Sequence, residues 1–289
     1  MASLSLKPML GRLTFSAAGL KMPPEYDTAP QPVRDHYYSS LKTEQKVAVP
    51  KHFPPLYKTH PHHPPVATHQ NMCDTLSEHY KRMLEILCDA TKFGHGMWTR
   101  EVQLPPMPIT AILAQAPAGH FKATTNIDDW MKRAPNYASL TKIQKKYFDA
   151  GSKGFRMAFN SWFHTVTIVN PNAFPSFAAG PTGALPPVQW VPPKLIACVS
   201  PNLAAVILPK IMHTLMNEAF KEECKKDGSS TKLSEGDDTF FKSYATVVSL
   251  GMLDWMSKQM VSGVIGTGSV TGFPSGPGVG VTMLAFPFV

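Results

Sequence analysis

Residues 141–169 constrain the fold more than any other part of this chain. Their apolar side chains recur at steps of three and four, and their charged and polar side chains recur with the same steps on the opposite side. This spacing places the two sets on opposite faces of one α-helix. Thr141 and Gln144 form a capping box at its start, and Asn170 followed by Pro171 is a stop signal. The sequence therefore predicts a long helix with an aromatic face and a basic face.

The basic face of this helix is the best functional candidate in the sequence. A basic, amphipathic helix can lie on anionic lipid head groups, cardiolipin among them, or on an acidic partner. The alternative is a basic face that is exposed to solvent above a buried aromatic face. Gly151 and Gly154 permit the close approach of another backbone. The basic residues are Lys142, Lys145, Lys146, Lys153 and Arg156, and the aromatic residues expected to pack on partners are Phe155, Phe159 and Trp162.

The overall composition limits the classes of partner. The net charge of +8 arises because the chain has only 20 acidic residues against 28 basic ones, and not from an excess of lysine and arginine. Nucleic-acid binders usually add basic residues to a face, so we expect no nucleic-acid partner. The four cysteines form no CxxC pair, which indicates reduced structural thiols rather than disulfides or a zinc site.

The N-terminal residues, 1–70, are rich in proline and predict an extended arm with at most one short helix near residues 33–47. Residues 1–24 contain three basic residues and no acid, and they resemble a mitochondrial targeting segment; the alternative is an ordinary basic arm. Histidines at positions 60, 62 and 63 are weak candidates for a metal site, because no cysteine or acid completes a ligand set. These residues are His60, His62 and His63.

Four further helices follow from the same periodicity. The first has a capping box of Thr75 and Glu78 and ends at Gly94 and Gly96. Proline at position 209 should kink or split the third. Asp237 or Asp238 is expected to cap the last. The predicted ranges are 74–93, 127–133 after Asn126, 200–226 and 239–265.

Three stretches of the chain carry no charge: residues 165–193, 195–209 and 259–289. Apolar, proline-rich backbone cannot face lipid, since its amides would be unsatisfied, and in water it would be adhesive. We therefore expect partner proteins to cover these stretches, with Phe174, Phe177 and Trp190 as packing residues. Residues 195–216 are also compatible with a short or re-entrant membrane segment, although a buried helix fits them better.

No catalytic motif is present. The sequence has no P-loop, HExxH, GxSxG or CxxC, and the glycines of residues 266–272 follow a predicted helix, whereas a dinucleotide loop follows a strand. We expect no cofactor, no metal and no catalytic residue.

These observations predict a mainly α fold with several long amphipathic helices, extended Pro/Gly-rich arms and little or no β-sheet, no sheet having more than about three strands. The expected regions are an arm at 1–70, helical regions at 71–169 and 200–265, a linker at 170–199 and an apolar tail at 266–289.

The function that we expect is that of a non-catalytic accessory subunit in a mitochondrial inner-membrane complex, such as a respiratory complex or an ATP synthase. Its partners would be the other subunits, with anionic lipid as a further contact. The alternatives are a mitochondrial ribosomal protein, which the low content of basic residues disfavours, and a soluble enzyme whose site is not visible in the sequence.

Overall fold

The computed structural model describes residues 3–18, 64–103, 109–110, 113–116, 118–171, 183–189, 194–229, 231–259, 264–270, 277–278 and 281–283. The prediction of a mainly helical fold is confirmed. The helices in these ranges are α1 (Pro8–Ala18), α2 (Pro64–Glu101), α3 (Ile127–Met131), α4 (Lys142–Phe163), α5 (Leu203–Ile207), α6 (Pro209–Lys226) and α7 (Glu235–Lys258), with a 3-10 helix at Leu195–Ala197.

The strands are short and antiparallel, and they form two small sheets. One sheet has the order β3-β2-β1-β6 and the other β4-β5-β7. The first sheet has one strand more than expected, but β1 and β6 are only two residues long. The strands are β1 (Ile109–Thr110), β2 (Leu113–Ala116), β3 (Ile168–Pro171), β4 (Gly183–Gln189), β5 (Val264–Val270), β6 (Pro277–Gly278) and β7 (Val281–Met283).

Helix α4 is the central helix, and its start is as predicted. The Thr141 hydroxyl accepts from the Gln144 backbone N–H, and the Gln144 side chain accepts from the Thr141 N–H, which completes the capping box. The predicted end is wrong, because the helix stops at Phe163 and not at Val169. The Thr165 hydroxyl donates to the carbonyls of Ser161 and Trp162 in the last turn of the helix. Thr167 then forms an antiparallel bridge with Val199.

The two glycines of α4 allow neighbouring elements to approach closely, as predicted. A Cβ added to Gly151 would lie 2.6 Å from Leu87 Cδ2, and one added to Gly154 would lie 2.6 Å from Met216 Cα. Because the second contact is with backbone, α6 could not stay where it is if residue 154 had a side chain.

The N-terminal arm contains a packed helix that the sequence analysis did not predict. Leu4, Leu6 and Phe15 are buried, and Gly11 lies so close to Leu84 of α2 that an added Cβ would be 2.6 Å from its Cδ2. Helix α1 therefore belongs to the core. Residues 19–63, which include His60, His62 and His63, lie outside the described residues.

Helix α2 is longer than predicted at both ends. It begins at Pro64, so the proposed cap at Thr75 is inside the helix, and it continues through Gly94 and Gly96. Gly94 is a contact residue, since an added Cβ would lie 2.9 Å from the Met131 backbone N of α3. Gly94, which the sequence predicts as a helix stop signal, therefore allows α3 to pack closely against α2.

The C-terminal helices follow the prediction in part. Pro209 splits the predicted helix into α5 and α6, as expected, and it occupies the first turn of α6. Ser234 rather than Asp237 caps α7, and Asp237 is the N3 residue of this capping box. The helix ends at Lys258, short of residue 265, where strand β5 is already formed. Buried side chains from Leu4 to Met256 form one core, so the two helical regions are not separate domains.

Candidate functional site: the basic face of α4

The basic face of α4 is largely neutralised by acids of the same chain. Three of its five basic residues form ion pairs with side chains 28 to 81 positions away in the sequence. Because these acids lie on other elements, the periodicity of α4 gave no sign of them. The pairs are Lys146 with Asp227, Lys153 with Glu222, and Arg156 with Asp128.

Lys146 is held by the turn that ends α6. Its Nζ lies 3.1 Å from Asp227 Oδ2, and it also donates to the Ser229 hydroxyl. Burial disfavours charge on this ammonium, but interactions with Asp227 and Cys224 together outweigh it, so the pKa of Lys146 is raised. Hydrogen bonds from Ser229 and from Lys146 lower the pKa of Asp227 to about 2. Both groups are therefore charged at neutral pH, and they compensate each other.

Lys153 makes a second link to α6 about two turns further along α4. Its Nζ donates to Glu222 Oε2, and this hydrogen bond lowers the pKa of the Glu222 carboxyl. Together with the Lys146–Asp227 pair it forms a line of alternating charge along the α4–α6 contact. We call Lys146, Lys153, Glu222 and Asp227 the charged rim.

Arg156 faces α3, where Asp128 is 4% exposed. The guanidinium Nε lies 3.6 Å from Asp128 Oδ2, and Lys132 Nζ lies 3.9 Å from the same oxygen. Burial raises the pKa of Asp128, and the two cations offset part of that effect. Arg156 therefore lies beside a buried acid of the same chain.

Lys142 and Lys145 are what remains of the basic face. Lys142 is exposed at the first position of α4, and Lys145 Nζ lies 5.4 Å from the centre of the Tyr137 ring. Among the described side chains, neither lysine is in an ion pair. A contact with anionic lipid or an acidic partner at this face has two free cations and not five.

The aromatic residues of α4 pack within the chain, so the expectation that they contact partner proteins is wrong. Phe155, Phe159 and Trp162 are at most 1% exposed. Phe159 meets Trp98 of α2 edge-on, with ring centroids 4.7 Å apart. Phe174, Phe177 and Trp190 lie outside the described residues.

Asp237 and His95 are two polar side chains that are buried in the protein. Asp237 accepts hydrogen bonds from the Tyr147 hydroxyl at 2.6 Å and the Tyr80 hydroxyl at 3.0 Å, and its other oxygen accepts from the Ser234 N–H. Burial and the neighbouring Asp237 and Tyr80 raise the pKa of Tyr147. Since every donor is used to hold the start of α7, this cluster has a structural role.

His95 is the other buried group. Its ring is 1% exposed and meets the Trp255 ring edge-on, with centroids 4.5 Å apart. Burial lowers the pKa of His95 to about 3, and its Nε2 has no hydrogen-bond partner among the described residues. The imidazole is therefore neutral at physiological pH.

The described ranges contain no group of three or more histidine, cysteine, aspartate or glutamate side chains arranged to hold a metal ion. No helix in these ranges has the length and hydropathy that crossing a bilayer requires.

A set of exposed apolar side chains was missed by the sequence analysis. They lie before α5, directly after α5 and in the first turn of α6, and the only signal for them in the sequence is the uncharged run of residues 195–209. That run was interpreted as a buried helix. The exposed residues are Val199, Leu208 and Ile211.

Comparisons with known proteins found no matching family model, no similar curated protein and no similar solved structure.

Proposed function

We propose that this chain is a non-catalytic accessory subunit of a large mitochondrial inner-membrane complex, of the respiratory-chain or ATP-synthase type. Its role is to hold neighbouring subunits together. The helices supply a self-supporting body, and uncharged segments outside the helices supply the contacts.

The distribution of charge carries this proposal. The seven strands of the described residues lie in three stretches without a charged residue, namely residues 102–119, 165–193 and 259–289. Strand β4 of the second stretch pairs with β5 of the third, and β1 of the first pairs with β6 of the third. Segments that are far apart in the sequence thus form sheets without charged side chains. These sheets therefore carry no charge that would disfavour their association with other proteins. Natural sheets usually protect their edges with charged residues, so these uncharged edges favour contact with partner subunits.

The proposed location rests on the composition of residues 1–24. Lys7 and Arg12 are basic, no acid is present, and residues 8–18 are helical, which is the form that mitochondrial import signals take. In the folded chain this helix is part of the core. The proposal therefore requires an import signal that is retained after import.

A contact with anionic lipid or an acidic partner belongs to the same proposal. It rests on Lys142 and Lys145, which are the basic residues of α4 that lack an acidic partner among the described side chains.

Native gel electrophoresis of solubilised mitochondria tests the proposed function. The full chain, carrying an epitope tag, should migrate far above its own mass of 31.7 kDa and together with inner-membrane subunits. Migration as a free monomer, or absence from mitochondria, would overturn the proposal. Ribonuclease-sensitive co-migration with ribosomal proteins would instead favour the ribosomal alternative.

A further inference from the structure

The segment that runs from the 3-10 helix through α5 to the first turn of α6 exposes three apolar side chains. Val199 is 66% exposed, Leu208 is 48% exposed and Ile211 is 39% exposed. We call residues 195–211, which contain all three, the apolar corner. Single exposed apolar residues are ordinary on protein surfaces, but three in one short segment call for an explanation.

The polar side chains of the corner are turned toward the protein. The Ser200 hydroxyl is 2.9 Å from the Thr165 hydroxyl, and Asn202 Nδ2 donates to the Ser161 carbonyl at 3.3 Å. Both partners lie at the end of α4. Leu195, Cys198 and Val206 of the same segment are buried in the core, so the segment is anchored from inside and presents Val199, Leu208 and Ile211 outside.

The backbone of the corner is held at several points. The Leu195 N–H donates to the Gln259 carbonyl at 2.9 Å, and the Thr167 N–H donates to the Val199 carbonyl at 2.8 Å. The Leu208 N–H still bonds within α5, and Pro209 begins α6. The apolar side chains are thus presented by a fixed scaffold, which suits a docking surface.

The charges within the corner and at its two ends are of one sign. Lys194 and Lys210 are exposed at its two ends, and no acidic residue occurs in residues 195–217. On α7, which packs beside the corner through the 3.7 Å contact of Ser249 with Met212, the acidic Asp254 is already paired with Lys258. Leu250 and Leu253 of α7 add further exposed apolar surface at 45% and 38%.

We propose that the apolar corner docks onto the surface of a bilayer that contains anionic lipid. Val199, Leu208 and Ile211 would enter the boundary between head groups and acyl chains, while Lys194 and Lys210 would extend to the anionic head groups. This is an interfacial contact and not a span. It rests on the membrane association in the proposed function, and it assigns that association to a surface other than α4.

Flotation of the purified full chain with vesicles tests this surface. Binding to vesicles of phosphatidylcholine with cardiolipin should exceed binding to phosphatidylcholine alone. The triple variant Val199→Asn, Leu208→Asn, Ile211→Asn should bind cardiolipin vesicles at least about tenfold more weakly, because it removes the apolar contact. The pair Lys194→Gln, Lys210→Gln should weaken binding about tenfold or more at low salt, and less at high salt.

Matched controls come from the same protein. Met9→Asn with Leu13→Asn changes two exposed apolar residues on α1, and Lys221→Gln with Lys225→Gln changes two exposed lysines at the far end of α6. Both controls should bind vesicles as the unmodified chain does. Far-ultraviolet circular dichroism and the melting temperature confirm that each variant is folded.

The results separate this inference from the proposed function. If the chain does not float with cardiolipin vesicles, or if a control variant loses binding as the corner variants do, the lipid surface is wrong. If the triple variant binds vesicles normally but leaves the native assembly, the corner is a protein contact and the inference is overturned while the proposed function stands. If the corner binds vesicles but the chain migrates as a monomer, the proposed function fails and this inference stands.

Discussion

The charged rim and the apolar corner lie on opposite ends of the same helix pair and differ in what they leave exposed. At the rim, Lys146 and Lys153 of α4 meet Asp227 and Glu222, so each charge has a partner within the chain. At the corner, the polar groups are satisfied inside and apolar side chains face outward. A row of lysines in the sequence predicts a binding face, but Lys146 and Lys153 are paired with acids of the same chain. The exposed side chains Val199, Leu208 and Ile211 belong to the apolar corner.

The largest effect should come from the aromatic face beneath the rim. Phe159→Ala removes a ring that is 0% exposed, and the cavity should lower the free energy of unfolding by roughly 3–5 kcal/mol, independent of salt. Ile143→Ala is the control on the same helix, because Ile143 is 51% exposed and its change should be within about 0.5 kcal/mol. Urea unfolding measures both. Equal losses would mean that α4 is not packed as described.

Two helical glycines, Gly154 of α4 and Gly96 of α2, provide a sharper test of the α4–α6 contact. Gly154→Ala puts a Cβ 2.6 Å from the Met216 backbone, and it should destabilise the fold by about 1–3 kcal/mol. Gly96→Ala meets nothing within 4 Å, so the gain in helix propensity should stabilise by about 0.5–1 kcal/mol. The two substitutions are chemically identical, and melting temperatures that move in the same direction would contradict the close approach of α6.

The buried His95 predicts how the helical body responds to acid. Its folded pKa of about 3 is below the ordinary value of 6.5. Between these two pH values the imidazole binds a proton in the unfolded chain but not in the folded chain. Stability should therefore be lost as the pH falls below 6.5, by about 1.4 kcal/mol per pH unit or about 2 kcal/mol at pH 5.

Urea unfolding at pH 7 and pH 5 measures this loss, and His95→Gln should remove most of the difference between the two. His79→Gln, which changes an exposed histidine on the same helix, should leave it in place. A wild-type chain with no loss between these pH values would show that His95 is not buried in its neutral form.

The smallest effect should come from the rim itself. Lys153→Gln removes an exposed ion pair, and such pairs contribute little and are screened by salt. The melting temperature should fall slightly at low salt and recover at high salt, whereas Lys142→Gln, which breaks no ion pair among the described residues, should leave it unchanged. A large, salt-independent fall would mean that the rim holds α6 in place and does not merely border the contact.

Local features were predictable from the sequence, and distant contacts were not. The Thr141 capping box and the break at Pro209 each depend on residues within a few positions, and they are confirmed. Gly94 was interpreted as a stop signal because its packing against Met131 of α3 cannot be read from neighbouring residues. The partners of Lys146 and Lys153 are 81 and 69 positions away, so a basic face was predicted where the fold has ion pairs.

Photochemical cross-linking in cells tests the central claim that the apolar corner, and not the charged end of α6, meets the surroundings of this protein. A photoreactive amino acid is placed at Leu208 in the apolar corner or at Lys221, both exposed residues on or beside α6. Adducts with lipid or with a neighbouring subunit should form from position 208 and not from position 221. Adducts from position 221 alone would show that the charged surface is the contact, and would contradict the account.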